Sequence, residues 1–82
     1  MPEPMPRERR ALATTVKELR ARRGLTQEQV ADAAGVSRGY LGELEQGRRR
    51  ASFEGVVRVA RALDVELAEF VQTYEARLRE GR

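Results

Sequence analysis

The sequence predicts an all-α domain of five helices, and three observations carry that reading. Apolar residues recur at helical spacing in five separate stretches, and no alternating run rich in Val, Ile and Thr suggests a strand. Cap and stop residues, chiefly Thr26, Ser37 and Ser52 with Gly24 and Gly35, punctuate those stretches. The 82 residues are also too few to divide into two cores.

Taken in order, Met1-Pro2-Glu3-Pro4-Met5-Pro6 cannot start a helix, because its prolines lack donors and fix φ. Residues 1–6 therefore read as a flexible, polyproline-like arm, and 7–82 as the single domain. From about Arg7 to Arg23, Leu12, Val16 and Leu19 fall at helical spacing. Arg22 and Arg23 then sit where the helix dipole favours cations, and Gly24 supplies the left-handed residue past the end. Thr26 caps a second helix, Gln29 closes its capping box, and Leu25 with Val30 forms a hydrophobic staple.

That helix runs to Ala34. Ser37 caps a third, which runs to about Gln46 and is stapled by Val36 and Leu41. Only Gly35 and Val36 lie outside helices between them, besides the cap, and a glycine there permits the positive φ of a tight turn. A fourth helix follows Ser52 and presents Phe53, Val56, Val57, Ala60 and Leu63 on one face. The fifth spans about 66–79 with an apolar stripe of Leu67, Phe70, Val71, Tyr74 and Leu78, and Gly81-Arg82 should fray.

Composition narrows the function. With neither cysteine nor histidine, the chain lacks disulfides, thiolate or imidazole metal sites, and the usual nucleophile–base pairs. Carboxylates alone need a walled cleft, which five short helices have little mass to build, so neither an enzyme nor a cofactor is expected. No apolar run reaches the roughly 18–20 residues that span a bilayer, Met1–Pro6 lacks the apolar stretch expected of a secretory signal, and the absence of cysteine fits a reducing cytoplasm. A chain of this length buries only roughly 60–65% of its unfolded surface, which leaves oligomerisation as the remaining way to add stability.

The formal charge is +3, carried almost wholly by arginine and clustered at Arg20, Arg22, Arg23 and at Arg48-Arg49-Arg50. Arginine suits bidentate contacts to phosphate and guanine, although a GC-rich genome would favour the same residue.

The second and third helices, joined by a glycine turn with Arg38 first on the third, have the layout that places a recognition helix in a DNA major groove. Ala31 and Ala34 let the two helices cross closely, and Leu41 and Leu44 pin the third to the core. At these residues the sequence resembles the phage-repressor-like (Cro/CI, Xre-type) helix-turn-helix family. The matching stretches are Thr26-Gln27-Glu28-Gln29-Val30-Ala31, Ala34-Gly35-Val36-Ser37, Leu41 and Leu44-Glu45-Gln46-Gly47. The likeness extends through Leu19-Arg20, Gly24-Leu25 and Ala60 to Val65, covering about residues 12–71. Within that family, Arg38-Gly39-Tyr40-Leu41 and the fifth helix are similar to the controller proteins of restriction–modification systems. Ala51, where the family often has proline, and Gly39 and Gly42, where it often has contacting side chains, depart from the pattern.

The resemblance implies a lambda-repressor-like fold and a transcriptional regulator that binds double-stranded DNA at a two-fold symmetric operator as a homodimer. Arg38, Gly39 and Glu43 are the candidates for base contact, with Glu43 either accepting from cytosine or steering Arg38. Gln27, Tyr40, Gln46, Arg48, Arg49 and Arg50 are the candidates for phosphate contact. For Tyr40, packing against the adjoining helix competes with that role, and the Gly47 amide is a further candidate beside Gln46. Gln27 is also implied to brace the first recognition-helix residue, and Arg20 with Glu45 to form a structural ion pair.

Leu67, Phe70 and Val71 can cover helices one and four, but the fifth-helix stripe continues past where the bundle should end, which marks Phe70, Tyr74 and Leu78 as the dimer interface unless the helix simply folds back over its own domain. Glu28 and Asp32, on the outer side of the second helix, are where an activator would touch RNA polymerase, or else simply a solvated face. Two alternatives stay open: an antitoxin or other repressor with a protein partner, and a helical adaptor that binds no DNA.

Overall fold

The structure, a computed structural model, describes residues 6–81. The polyproline-like reading of residues 1–5 and the fraying of Arg82 lie outside the described residues. Five helices form among the described residues: α1 (Arg7–Arg23), α2 (Gln27–Ala34), α3 (Arg38–Glu45), α4 (Phe53–Ala62) and α5 (Leu67–Glu80). No strand occurs among the described residues.

The expected caps are the observed ones. Thr26 Oγ1 accepts from the Gln29 amide at 3.0 Å while Gln29 Oε1 accepts from the Thr26 amide at 2.9 Å, a complete capping box. The hydroxyls of Ser37 and Ser52 accept from the amides of Tyr40 and Gly55, each at 3.0 Å. Gly35 takes φ +72, and the Val36 amide then closes back on the Ala31 carbonyl at 3.0 Å, reversing the chain between α2 and α3 within two residues.

The same closure ends α4 without a glycine. Asp64 adopts φ +58 and the Val65 amide reaches the Ala60 carbonyl at 3.1 Å, a conformation that aspartate tolerates better than most residues. Arg23 secures this turn from α1, its Nε donating to the Leu63 carbonyl at 3.0 Å.

One core forms where all five helices meet, built on Val16 and Leu19 (α1), Val30, Ala31 and Ala34 (α2), Leu41 and Leu44 (α3), Val59 and Ala60 (α4), Leu63, and Phe70 (α5). Two sequence expectations are corrected here. Phe53 lies on the predicted face of α4 but is 72% exposed, because it is the first residue of the helix and overhangs the core by one turn. In its place Val59 is buried, while Val56 and Val57 are half-buried.

Phe70 is the second correction. It is only 2% exposed within its own chain, so its side chain belongs to the core and not to an interface. Tyr74 and Leu78 are half-buried. The bundle does not end where the stripe suggested, because α1 extends over 17 residues and α5 packs along it. Arg77 Nε donates to Glu18 of α1 at 2.8 Å, and the Arg7 guanidinium to the Leu78 carbonyl at 2.9 Å. These bonds tie the far end of α5 down.

Candidate nucleic-acid interface

The placement of α3 follows from its two faces. Leu41 and Leu44 are buried in the core, while Arg38, Gly39, Glu43 and Gln46 are exposed on the opposite side, with Gly42 half-buried among them. Side chains three and four apart share a helix face, so this spacing leaves one smooth outward strip about two turns long. An added Cβ would meet nothing nearer than 4.0 Å at either Gly39 or Gly42, so no internal contact demands a glycine at these positions.

The other end of α3 is locked by a polar network. Glu45 is buried at 4% exposure. Its carboxylate accepts from Arg20 Nε at 2.7 Å, Arg20 Nη2 at 3.0 Å and Gln27 Nε2 at 3.0 Å. Arg20 Nη1 also donates to the Leu25 carbonyl at 2.9 Å. The hydrogen bond to Glu45 is the main reason the Arg20 guanidinium holds its proton more tightly than usual. One carboxylate thus joins α1, the start of α2 and the end of α3. The Arg20–Glu45 contact is an ion pair made by two hydrogen bonds, one to each carboxylate oxygen.

Gln27 is placed differently from expectation. Its amide braces Glu45, not Arg38, because the carboxylate lies within reach at 3.0 Å. Gln27 and Arg38 still line a common hollow of about 500 Å³ at the start of α2.

Glu43 does not steer Arg38 either. Its Oε1 accepts from Arg49 Nη2 at 2.7 Å and Nε at 3.1 Å, because the loop after α3 folds back alongside it. The Arg49 guanidinium also lies over the Tyr40 ring, 5.1 Å from its centroid, in cation–π range. Of the two readings of Tyr40, packing is the observed one: its ring is half-buried against the core and its hydroxyl abuts Gly55 at the start of α4.

The Gly47 amide is already bonded to the Leu44 carbonyl at 3.1 Å and is not free for a phosphate. Arg38, Arg48 and Arg50 are exposed and take part in no ion pair among the described residues. Glu28 and Asp32 stand exposed on α2.

Two features escaped the sequence reading. Arg10, Thr14 and Lys17 of α1 face Gln46 and Arg48 across a hollow of about 400 Å³. Their spacing of four and three residues was a helical-face signal, but it carried no motif. The second is an apolar groove of about 500 Å³, where Leu12, Phe53, Val56, Val71 and Tyr74 converge from α1, α4 and α5. Burial, with Glu8 adding a smaller effect, raises the pKa of the Tyr74 hydroxyl.

Among the described residues no helix is long and apolar enough to cross a membrane, and no group of three or more acidic side chains is placed to hold a metal ion.

The helix-turn-helix family model matches residues 16–70. The chain is 34% identical over 62 residues to the HTH-type transcriptional regulator SutR of Escherichia coli (strain K12), a match covering 76% of this chain and 35% of SutR. It therefore spans about a third of the length of that relative. The clp gene regulator ClgR from Corynebacterium glutamicum has the same fold, with a TM-score of 0.85 and 35% identity over 94% of this chain and 82% of ClgR. The restriction–modification controller protein C.AhdI from Aeromonas hydrophila superimposes with a TM-score of 0.72 and 35% identity over 76% of this chain and 94% of that protein. With five helices in this arrangement and the family model matched from α1 into α5, the chain belongs to the helix-turn-helix family of transcriptional regulators, which are not enzymes.

Proposed function

We propose that this chain binds double-stranded DNA at a two-fold symmetric operator as a homodimer, with α3 of each copy in the major groove. The observation that carries the reading is the outward strip of α3: Arg38 stands exposed and unpaired at its first position, on a helix held at the other end by the buried Glu45 network. A guanidinium at the leading end of a recognition helix is suited to the two acceptors of guanine, O6 and N7. Arg48 and Arg50 follow in the loop, where backbone phosphates would lie on docking.

The dimer rests on a separate feature. Phe53 at 72% and Val71 at 39% exposure flank the apolar groove, and Tyr74 lines it. Closing two such faces isologously would remove this surface from water and supplement a small core. A symmetric operator requires that dimer to hold its two α3 helices about one DNA turn (~34 Å) apart. Among the DNA-binding roles, the likeness to C.AhdI and the Arg38-Gly39-Tyr40-Leu41 start of α3 favour a controller protein.

The test is selection from a random-sequence duplex library. The expected product is a symmetric consensus with half-sites one turn apart. Arg38→Ala should weaken binding to it by about 1–3 kcal/mol and relax preference at one position in each half-site. No enrichment of any duplex, or equal loss across all operator variants, would overturn the DNA reading or the base contact respectively.

A further inference from the structure

We propose that α1 carries a second backbone clamp, in which Arg10, Thr14 and Lys17 together with Arg48 hold a DNA phosphate beyond the end of the recognition helix. The inference rests on the DNA-binding reading above and adds a contact surface outside the helix-turn-helix pair. Its basis is the 400 Å³ hollow between α1 and the end of α3, with Arg10, Thr14 and Lys17 on one rim and Gln46 and Arg48 on the other.

Three properties suit this hollow to a phosphodiester. Its cations are uncommitted: Arg10, Lys17 and Arg48 make no ion pair among the described residues, and Lys17 and Arg48 are exposed. Its one carboxylate is satisfied elsewhere, since Glu45 accepts from Arg20 and Gln27. The Thr14 hydroxyl and Gln46 amide add neutral donors between the charges.

Location supplies the rest of the argument. Packed helices lie about 8–10 Å apart, and the major groove is about 12 Å wide. The hollow opens beside the C-terminal end of α3, next to the exposed Gln46 and Arg48, so docking α3 in the groove would bring the adjoining sugar–phosphate edge toward it. The α2 side of α3 already offers the hollow shared by Gln27 and Arg38, and the α1 side offers this one near the other end of α3. The two would bracket the groove, one on each strand.

The experiment compares the unmodified chain with the Arg10→Ala/Lys17→Ala variant on the selected duplex across a salt series. If both cations neutralise a phosphate, the slope of log K against log salt should become shallower by about 1.8 per subunit. At 0.15 M salt that amounts to an affinity loss of about 30-fold per half-site, with sequence preference and melting temperature unchanged. The control is Arg61→Ala/Arg79→Ala, which removes equal charge from exposed positions on α4 and α5.

An unchanged slope in the α1 variant would overturn the clamp while leaving DNA binding intact. An equal change in the control would also overturn it, by showing a net-charge effect in place of a built contact. Failure of the unmodified chain to bind any duplex would instead sink the reading on which the clamp rests.

Discussion

Replacing Glu45 by alanine removes the one acceptor that holds three helices together. The side chain is 3% exposed and receives hydrogen bonds from both Arg20 and Gln27. Stranding the partner of a fully buried ion pair costs about 3–5 kcal/mol, against less than about 1 kcal/mol for an exposed pair. Arg20 keeps 22% side-chain exposure and its bond to the Leu25 carbonyl, so water and that carbonyl recover part of the loss. A cost of about 2–3 kcal/mol follows, against a total stability of about 4–12 kcal/mol for a chain of this length. The melting temperature should fall by about 10–20 °C. Thermal unfolding followed by circular dichroism provides the measurement, and a cycle with Arg20→Ala isolates the pairwise part, expected at about 2 kcal/mol. A coupling below about 0.5 kcal/mol would show that the pair behaves as an exposed one and that α3 is held by Leu41 and Leu44 alone.

Gly39→Ala with Gly42→Ala should separate stability from binding. Each substitution gains up to about 1 kcal/mol of helix propensity with no contact closer than 4.0 Å, so the melting temperature should rise. If the duplex approaches the backbone here, affinity should fall in the same protein, and unchanged affinity would discard that role for the glycines. Phe53→Glu with Val71→Glu places charge on both sides of the apolar groove while leaving Phe70 in the core. Sedimentation should show a folded monomer, and a persistent dimer would move the interface to another face. Tyr74 gives a pH test. Burial holds its folded pKa above the usual value near 10, so the neutral hydroxyl's contribution is intact below that value and is lost as pH rises through the folded one. Tyr74→Phe should flatten this alkaline decline in melting temperature, and an equally steep decline would place the responsible group elsewhere.

The helices were legible because their signals are local. Thr26 with Gln29, Ser37, Ser52, Gly24 and Gly35 each satisfy backbone groups within a few residues, so the residue types alone announce the boundaries. What sequence did not disclose were partners distant along the chain. Arg23 reads as a dipole-favoured cation at the end of α1, yet it reaches forty residues ahead to the Leu63 carbonyl. Glu43 and Arg49 are six apart, outside helical spacing, and meet only because Gly47 turns the loop back with φ +74. The stripe on α5 is periodic along its length, but periodicity does not say where α1 stops covering it. Phe53 and Phe70 therefore looked alike in sequence and ended as an overhanging ring and a core residue.

The allocation of arginines separates scaffold from reading surface more sharply than their clustering does. Arg20, Arg22 and Arg23 form a basic group in sequence, yet Arg20 serves Glu45, Arg22 pairs with Glu18, and Arg23 caps α4. Of the side chains at 48–50, Arg49 alone forms an ion pair among the described residues, with Glu43. The magnitudes of these pairings decide which residue a phosphate can recruit. Both members of the Arg49–Glu43 pair are about half exposed, so parting them costs under about 1 kcal/mol, less than a charge-assisted contact to a phosphate returns. The Arg20–Glu45 pair is desolvated on the carboxylate side, and no surface contact repays its loss. Under the proposed DNA-bound arrangement Arg49 would be a cation held in reserve beside α3, parked on Glu43 and the Tyr40 ring. Arg20 is fixed, and its charge serves to hold the end of α3 in place, the placement on which the proposed reading by Arg38 depends.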